Sequence, residues 1–218
     1  MANFIRSTAT AVFTPVLFSY KSGHFRSSFK MAAVSRNGDV LPWYTYPAVD
    51  FLKHRTYADK TVLEFGGGQS TLWWADRAKY VVTFEGDRQW HDKLKGEIPA
   101  NVELFCVSME SAEACENEVE SLIAKNRYES FDVIIVDGLY RTEMAGIAER
   151  MLSKNGIIIL DNAESYEFYE KFHDGGLSRV DFFGQAPGVI LPHCTSILFK
   201  DQAFVFSSKY PIAEISGE

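Results

Sequence analysis

The chain has 218 residues, of which 46% are hydrophobic and 23% are charged. This composition is close to that of an average soluble globular protein, and it excludes a mostly disordered chain and a collagen-like repeat. The length suits one domain of ordinary size. The longest uncharged stretch, Phe182–Phe199, contains two prolines and a histidine, which does not fit a membrane-spanning helix. We therefore expect no membrane span.

The formal net charge is unevenly distributed. Residues 1–38 carry +5 without a single acid and the remaining 180 residues carry −12, which together give the net charge of −7. The acidic body argues against nucleic acid as the main ligand, because phosphate binding needs a basic surface. The basic, Ser- and Thr-rich N-terminal stretch predicts an ordered arm of the domain, with an organelle-targeting segment as the alternative.

The three cysteines are too few and too scattered for a disulfide framework or a zinc cluster. They are Cys106, Cys115 and Cys194. Reduced thiols are typical of a cytosol-like compartment, so we expect a cytoplasmic protein.

Before residue 60, the segment Pro47–His54 predicts a helix with a proline in its first turn. The aromatic segment Pro42–Tyr46 leads into it, and either a core-packing role or a lid role fits its composition. We expect an N-terminal helical arm or lid over residues 1–58 and one compact domain over residues 59–218. Within the arm, residues 20–55 are expected to be ordered and to cover the active-site mouth.

From residue 60 onward, short apolar runs alternate with helix-like segments. Val133–Val136 and Ile157–Leu160 have no polar interruption, which is typical of strands covered on both faces. We therefore predict an α/β fold with a Rossmann-like, doubly wound sheet of five parallel strands. The predicted strands are Thr61–Phe65, Tyr80–Glu85, Val102–Val107, Phe131–Asp137 and Gly156–Asp161, and the helices between them are Ser70–Lys79, Asp87–Lys95, Ser111–Arg127 and Arg141–Leu152.

The pattern changes near the C-terminus, where three further segments resemble strands. They are Ser178–Phe183, Thr195–Lys200 and Ala203–Ser207, and the short Asp201-Gln202 connection predicts a hairpin between the last two. We expect this region to add an antiparallel edge to the sheet.

The first chemical signal is a glycine turn between a strand and a helix, in the segment Glu64-Phe65-Gly66-Gly67-Gly68-Gln69-Ser70. Ligands of parallel sheets bind beyond the carboxyl ends of the strands, and glycines let the backbone approach them closely. Glu64 stands two residues before the first glycine, where it would repel a pyrophosphate and favour a cationic ligand. The segment therefore differs from a dinucleotide fingerprint.

The second signal is Glu85, which ends the second predicted strand. A carboxylate at this position can accept hydrogen bonds from both hydroxyls of a ribose. A solvated glutamate at a strand end is the alternative. Asp87 is a candidate N-cap for the helix that follows.

These motifs resemble those of the class I S-adenosylmethionine-dependent methyltransferases over roughly residues 60–200. The segments Glu64–Gly68, Glu85, Phe131–Gly138 and Gly156–Asn162 carry the resemblance. It implies that S-adenosylmethionine is the cofactor and that Glu85 binds its ribose. The other cofactor-binding residues that it implies are Glu64, Gly66, Gly67, Gly68 and Ser70 for the methionine and ribose parts, Ser108 and Met109 beside the adenine, and Asp137.

A third signal lies at the ends of the fourth and fifth predicted strands, which bear Asp137, Asp161 and Asn162. Neighbouring parallel strands lie about 4.8 Å apart, so these oxygens could converge on one site. Two carboxylates and an amide suit Mg²⁺ or another hard divalent cation. The arrangement resembles the metal-dependent O-methyltransferases of the catechol and caffeoyl-CoA type. Alternatively, the Asp-Asn pair caps the next helix.

Without a metal, a protein base must take the proton of an acceptor hydroxyl. Asp137 would then orient the acceptor, and His193, in a loop near the expected mouth, would be the base. His173, beside Asp174-Gly175-Gly176, is a second candidate base.

We expect methylation of an oxygen of a small molecule, such as a sugar or a secondary metabolite. N-methylation of a protein or a small amine, a nicotinamide-dependent oxidoreductase and a non-catalytic scaffold are the alternatives. The expected partner is the small-molecule acceptor, with no nucleic acid, and a homodimer is left open.

Overall fold

The computed structural model describes residues 2–165, 172 and 176–211. One seven-stranded sheet runs through the described part of the chain. Its strands are β1 (Thr61–Phe65), β2 (Tyr80–Glu85), β3 (Val102–Cys106), β4 (Phe131–Val136), β5 (Leu152–Leu160), β6 (Ser178–Gly184) and β7 (His193–Phe199). The described α-helices are α1 (Ala2–Lys21), α2 (His24–Lys30), α3 (Tyr46–Leu52), α4 (Gln69–Ala75), α5 (Arg88–Lys95), α6 (Ala112–Asn126) and α7 (Arg141–Met151).

The strand order is β3-β2-β1-β4-β5-β7-β6. The first five strands are parallel, and β7 runs antiparallel to both β5 and β6. The predicted α/β sheet of five parallel strands with an antiparallel C-terminal edge is therefore confirmed. Its order reverses beside β1, so the carboxyl ends of β1 and β4 flank the crevice where such sheets bind ligands.

The predicted C-terminal hairpin between Thr195–Lys200 and Ala203–Ser207 is wrong. The hairpin joins β6 to β7, and Phe204–Phe206 forms a short 3₁₀-helix. Strand β7 is paired on one side with β5 and on the other with β6, so it has no free edge for a third strand. Phe206 instead packs against Phe199, with ring centroids 4.6 Å apart.

Side chains of the sheet alternate between two apolar layers. Ile134 and Val136 face the layer beneath α6 and α7, whereas Val133 and Ile135 face the layer that contains α3 and α4. All four are fully buried, which explains the uninterrupted apolar run in β4.

Local signals fix several helix ends. The Asp87 carboxylate accepts a hydrogen bond from the Trp90 amide, which confirms the predicted N-cap of α5. Ser111 caps α6 in the same way, and Arg127 ends α6 in the left-handed conformation at φ 57°. These caps explain why the observed bounds of both helices lie close to the predicted ones.

Part of the N-terminal region belongs to the hydrophobic core. Tyr44, Leu52 and Tyr57 are buried against Trp73 and Trp74 of α4. Helices α1 and α2 lie outside this core. No helix among the described residues is long and apolar enough to cross a membrane.

Candidate active site

The glycine turn packs directly against the end of β4. Gly66 has φ 97°, and a Cβ atom at this position would lie 1.7 Å from the carbonyl oxygen of Asp137. Its amide donates to the carbonyl of Phe84, so the turn is tied to β2 as well. Only glycine fits this position, because both the positive φ and the close contact exclude a side chain. Gly68 differs, since the nearest atom to its added Cβ would be Trp90 Nε1 at 4.0 Å.

A cavity of about 630 Å³ opens beside this turn. Its size is within the range of about 300–1,000 Å³ that is typical of small-molecule sites. Gly86 forms part of its wall, and a Cβ there would lie 2.3 Å from Met109 Sδ and 3.0 Å from Leu139. The lining residues are Gly66, Glu85, Gly86, Asp87, Arg88, Gln89, Met109, Gly138 and Leu139.

Glu85 lies in this cavity wall and is 8% exposed. One carboxylate oxygen accepts from the amide of Gly67 at 2.8 Å, and the other accepts from the amide of Asp87 at 2.7 Å. Each oxygen retains acceptor capacity for a further donor, because a carboxylate accepts about four hydrogen bonds. The carboxylate is therefore held in place by the glycine turn that it faces.

Glu64 lies beneath the turn and is completely buried. Its Oε2 accepts hydrogen bonds from Thr71 and Thr83, and no described residue is bonded to its Oε1. Burial raises the pKa of Glu64 to about 7, although the hydroxyl groups of Thr71 and Thr83 that bond to it oppose the shift. Ser70, a predicted cofactor-binding residue, lies close enough to Glu64 to oppose the shift as well.

A cluster of acidic groups extends from Glu64 toward β4 and β5. The negative charge of Asp137 raises the pKa of Glu64, and it also raises that of Asp161, for which burial is the larger cause. Burial raises the pKa of Asp137 too, opposed chiefly by the charge of Arg141. Tyr44 is buried beside the same three carboxyl groups, and burial followed by their charges raises its pKa well above the ordinary value.

The Arg141 side chain lies between two of the predicted metal ligands, Asp137 and Asn162. Its guanidinium pairs with Asp137, and its Nη2 lies 3.5 Å from Asn162 Oδ1. Asp161 is 3% exposed and accepts from Thr195 at 2.9 Å. Within the described residues there is no group of three or more His, Cys, Asp or Glu side chains arranged to hold a metal. The donor set does not fit a divalent cation, because the Arg141 guanidinium already pairs with Asp137 and lies beside Asn162, while Asp161 is bonded to Thr195.

His193 begins β7 and is 8% exposed. Its Nε2 is buried and has no hydrogen-bond partner among the residues that the structure describes. The His193 ring lies close enough to Asp137 for its charge to oppose the rise in the pKa of that carboxyl group. His173, the other candidate base, lies outside the described residues.

The segment before α3 lies across this end of the sheet. The Trp43 indole donates to the carbonyl of Pro187 at 2.8 Å, and the Thr45 hydroxyl donates to the carbonyl of Phe182 at 2.8 Å. The Thr45 amide donates to the Thr195 hydroxyl at 2.9 Å. These bonds attach the arm to β6, β7 and the loop between them.

The predicted cofactor residues do not all reach one surface. Met109 lines the cavity, whereas the Ser108 amide donates to Glu118 and its hydroxyl accepts from Glu110. Sequence reasoning missed Gly86, Arg141, Thr195 and Tyr44 as parts of the site. No helical spacing signalled the Asp137–Arg141 pair, because Asp137 follows β4 and Arg141 is the first residue of α7.

No protein-family model matches the chain, and no curated protein is similar to it in sequence. Several solved structures are similar in fold. A methyltransferase-like protein from Silicibacter pomeroyi has a TM-score of 0.50 at 17% identity, over 73% of this chain and 86% of that one. A precorrin-6y C5,15-methyltransferase from Geobacter metallireducens scores 0.49 at 16% identity, over 71% and 86%. An rRNA methylase from Streptococcus thermophilus scores 0.47 at 17% identity, over 72% and 96%.

Two of these structural neighbours are named a methyltransferase and a methylase, and the other is named a methyltransferase-like protein. The first comparison shows that this chain has the fold of a methyltransferase-like protein. The resemblance to class I methyltransferases that the sequence motifs indicate is thereby confirmed for the fold.

Proposed function

We propose that the protein is an S-adenosylmethionine-dependent methyltransferase that methylates an oxygen of a small molecule. The observation that carries this proposal is the acidic cluster beside the glycine turn, which consists of the buried Glu64 and Asp161 and the partly exposed Asp137. The charge of Asp137 acts on both of the other carboxyl groups. A sulfonium ion is a cation, so the ionised forms of these carboxyl groups attract it. A pyrophosphate at the same place would be repelled, which disfavours a nicotinamide cofactor.

The cavity suits the remainder of this cofactor. Glu85 is positioned to accept the ribose hydroxyls, while Met109 and Leu139 give an apolar wall beside Gly86 for a flat base. The open space at Gly68 lets a ligand approach the backbone of the turn. The bound cofactor would supply an electrophilic methyl group on a positively charged sulfur.

The chain itself supplies positioning and a base. Methyl transfer is an in-line displacement, and holding the reactants in line accounts for much of its rate. We assign His193 Nε2 as the acceptor of the hydroxyl proton, since this atom is buried and unpaired within the described residues. Asp137, held by Arg141, would orient the acceptor and stabilise the protonated imidazole. With the proton on His193, the acceptor oxygen would be free to take the methyl group, and the neutral thioether would be the leaving group.

A small-molecule acceptor agrees with the charge of the body. Residues 39–218 carry −12, which opposes binding of a nucleic acid. The names of the structurally similar proteins point to different substrates, so they do not indicate the acceptor. The proposed acceptor class is instead based on the negative charge of residues 39–218 and on the chemistry of His193.

Titration calorimetry with S-adenosylmethionine, S-adenosylhomocysteine and NAD⁺ tests the cofactor. We expect binding of the first two and none of NAD⁺. Glu85→Gln should weaken binding by about 1–3 kcal/mol, because buried ribose hydroxyls would lose a charged acceptor. Glu129→Gln makes the same chemical change at an exposed position outside the site and should bind as the wild type does. Equal affinity of the two variants would refute the ribose assignment.

A further inference from the structure

Helix α1 is exposed along nearly its whole length, although much of its sequence is apolar. Phe4 is 76% exposed, Ile5 63% and Phe13 59%. The helix is held mainly at its C-terminal end, where Phe18 packs edge-on against Tyr46 with ring centroids 5.5 Å apart. The exposed large apolar side chains of α1 are Phe4, Ile5, Val12, Phe13, Val16, Leu17, Phe18 and Tyr20.

The two sides of the helix differ in polarity. At about 100° per residue, Ile5, Val12 and Val16 share one face, which Thr8 and Ser19 border. The remaining polar side chains lie toward the other side, with Leu17 among them, and they are Asn3, Arg6, Ser7, Thr10, Thr14 and Lys21. An apolar surface of this extent on a soluble domain marks a place where something binds.

The positive charge of residues 1–38 indicates which kind of partner the apolar face of α1 would bind. Residues 1–38 carry +5 and no acid, so two arms brought together would repel each other. A helix that is apolar on one side and cationic on the other is typical of segments that lie in the headgroup region of an anionic bilayer. Each basic residue near such a surface adds to the attraction.

A second apolar projection lies beside the arm. Ile190 is 87% exposed and Leu191 is 71% exposed, in the loop between β6 and β7. That loop touches α2, since a Cβ at Gly188 would lie 3.0 Å from the Ser27 backbone. On α2 and just after it, Phe29 and Met31 are also almost fully exposed. The loop and the arm therefore present apolar side chains from adjoining parts of the fold.

We propose that α1, α2 and the loop 187–192, together called the arm surface, dock on the surface of an anionic phospholipid bilayer. Helix α1 lies in the plane of the interface with its apolar face in the lipid. The loop leads directly into β7 at His193, so docking brings the candidate active-site mouth toward the bilayer. This proposal does not depend on the proposed methyltransferase activity.

Flotation of the full chain with lipid vesicles tests the proposal. We expect the protein to float with vesicles of phosphatidylglycerol and phosphatidylcholine, and to bind vesicles of phosphatidylcholine alone at least about tenfold more weakly. The double variant Val12→Glu/Phe13→Glu should lose this binding by at least about tenfold, because it puts charge on the apolar face. The thermal midpoint should stay unchanged, since these side chains are exposed.

The variant Thr10→Glu/Thr14→Glu is the matched control, because it adds the same charge on the polar face of α1. It should lose clearly less binding than Val12→Glu/Phe13→Glu, because both variants weaken the electrostatic attraction equally and only the latter puts charge into the lipid. The proposal is overturned if neither vesicle type binds, or if both double variants lose binding equally. Dimerisation in the absence of lipid, abolished by Val12→Glu/Phe13→Glu in sedimentation velocity, would assign the apolar face to a second copy instead and also overturn it.

Discussion

Thr195 Oγ1 donates a hydrogen bond to Asp161 Oδ1 at 2.9 Å. The same hydroxyl accepts from the Thr45 amide, so it joins a carboxyl group at the end of β5 to the segment that precedes α3. Both side chains are buried, which makes this hydroxyl an obligatory partner for two polar groups at once.

Thr195→Val should destabilise the fold, because it leaves the Thr45 amide and Asp161 without this partner. The expected loss is about 1–3 kcal/mol per buried group left unpaired. Urea unfolding measures it. Thr195→Ser keeps the hydroxyl and should recover most of the loss, whereas an equal loss in the two variants would show that packing of the methyl group matters instead.

Stability should fall as the pH rises toward neutrality, because Glu64 binds its proton more tightly in the folded state. Its pKa is raised from 4.5 to about 7, so the contribution is lost between those two values. A shift of this size corresponds to about 3 kcal/mol. Glu64→Gln should flatten the dependence in urea unfolding between pH 5 and pH 8, whereas Glu129→Gln should not. An unchanged slope in Glu64→Gln would contradict the assignment.

Two glycines of the turn, Gly66 and Gly68, should respond differently to replacement by alanine. Gly66→Ala should unfold or strongly destabilise the protein, since the added Cβ would lie 1.7 Å from the Asp137 carbonyl oxygen at a positive φ. Gly68→Ala has open space and should fold normally while losing cofactor affinity. Thermal melts and calorimetry separate the two effects. Normal cofactor binding by Gly68→Ala would place the ligand away from the turn.

Arg141→Gln should cost about 3 kcal/mol at pH 7, because it leaves the carboxylate of Asp137 without its cation. The loss should shrink at pH 5, where carboxyl groups of raised pKa take up protons. Arg150→Gln is the control, since its pair with Glu120 is exposed and is worth at most about 1 kcal/mol. Similar costs for the two variants would mean that the pair with Asp137 is effectively solvated.

The preference for S-adenosylmethionine over S-adenosylhomocysteine should grow between pH 5 and pH 8. Only the former carries the sulfonium charge, and the raised pKa of Glu64 to about 7 means that the negative charge of the site develops in this window. Calorimetry at several pH values gives the ratio of the two dissociation constants. A ratio independent of pH would separate the sulfonium from the acidic cluster.

The five parallel strands and the helices between them could be predicted from the sequence, because their presence and their bounds depend on local patterns. The apolar run Val133–Val136 requires cover on both faces wherever it lies, and Gly66 punctuates the chain at a strand end. The prediction of a strand at Ala203–Ser207 was wrong because the pairing of β7 depends on residues distant in sequence. Strand β6 already pairs with the side of β7 that a further strand would need. Nothing within five residues of Ala203 carries that information.

The candidate site shows the same division. Carboxylates at strand ends are visible in the sequence, but their partners are not. The Arg141 guanidinium lies where a divalent cation was predicted. Only the packing of β4, β5 and α7 brings Asp137 and Asn162 to this guanidinium, so the sequence pattern does not reveal it. Tyr44 lies about 20 residues before Glu64, and only the fold brings the two together.

Gln69, the first residue of α4, binds the N-terminal segment through both backbone polar groups of Ala33. Its side chain accepts from the Ala33 amide at 2.6 Å and donates to the Ala33 carbonyl at 3.2 Å. Gln69 directly follows the glycine turn, so a displacement of the turn and a displacement of the arm act on the same two hydrogen bonds. Thermodynamic reciprocity then requires that any coupling works in both directions. Whatever tightens the arm through this pair must change the affinity for a ligand at the turn by the same factor as the ligand changes the hold on the arm.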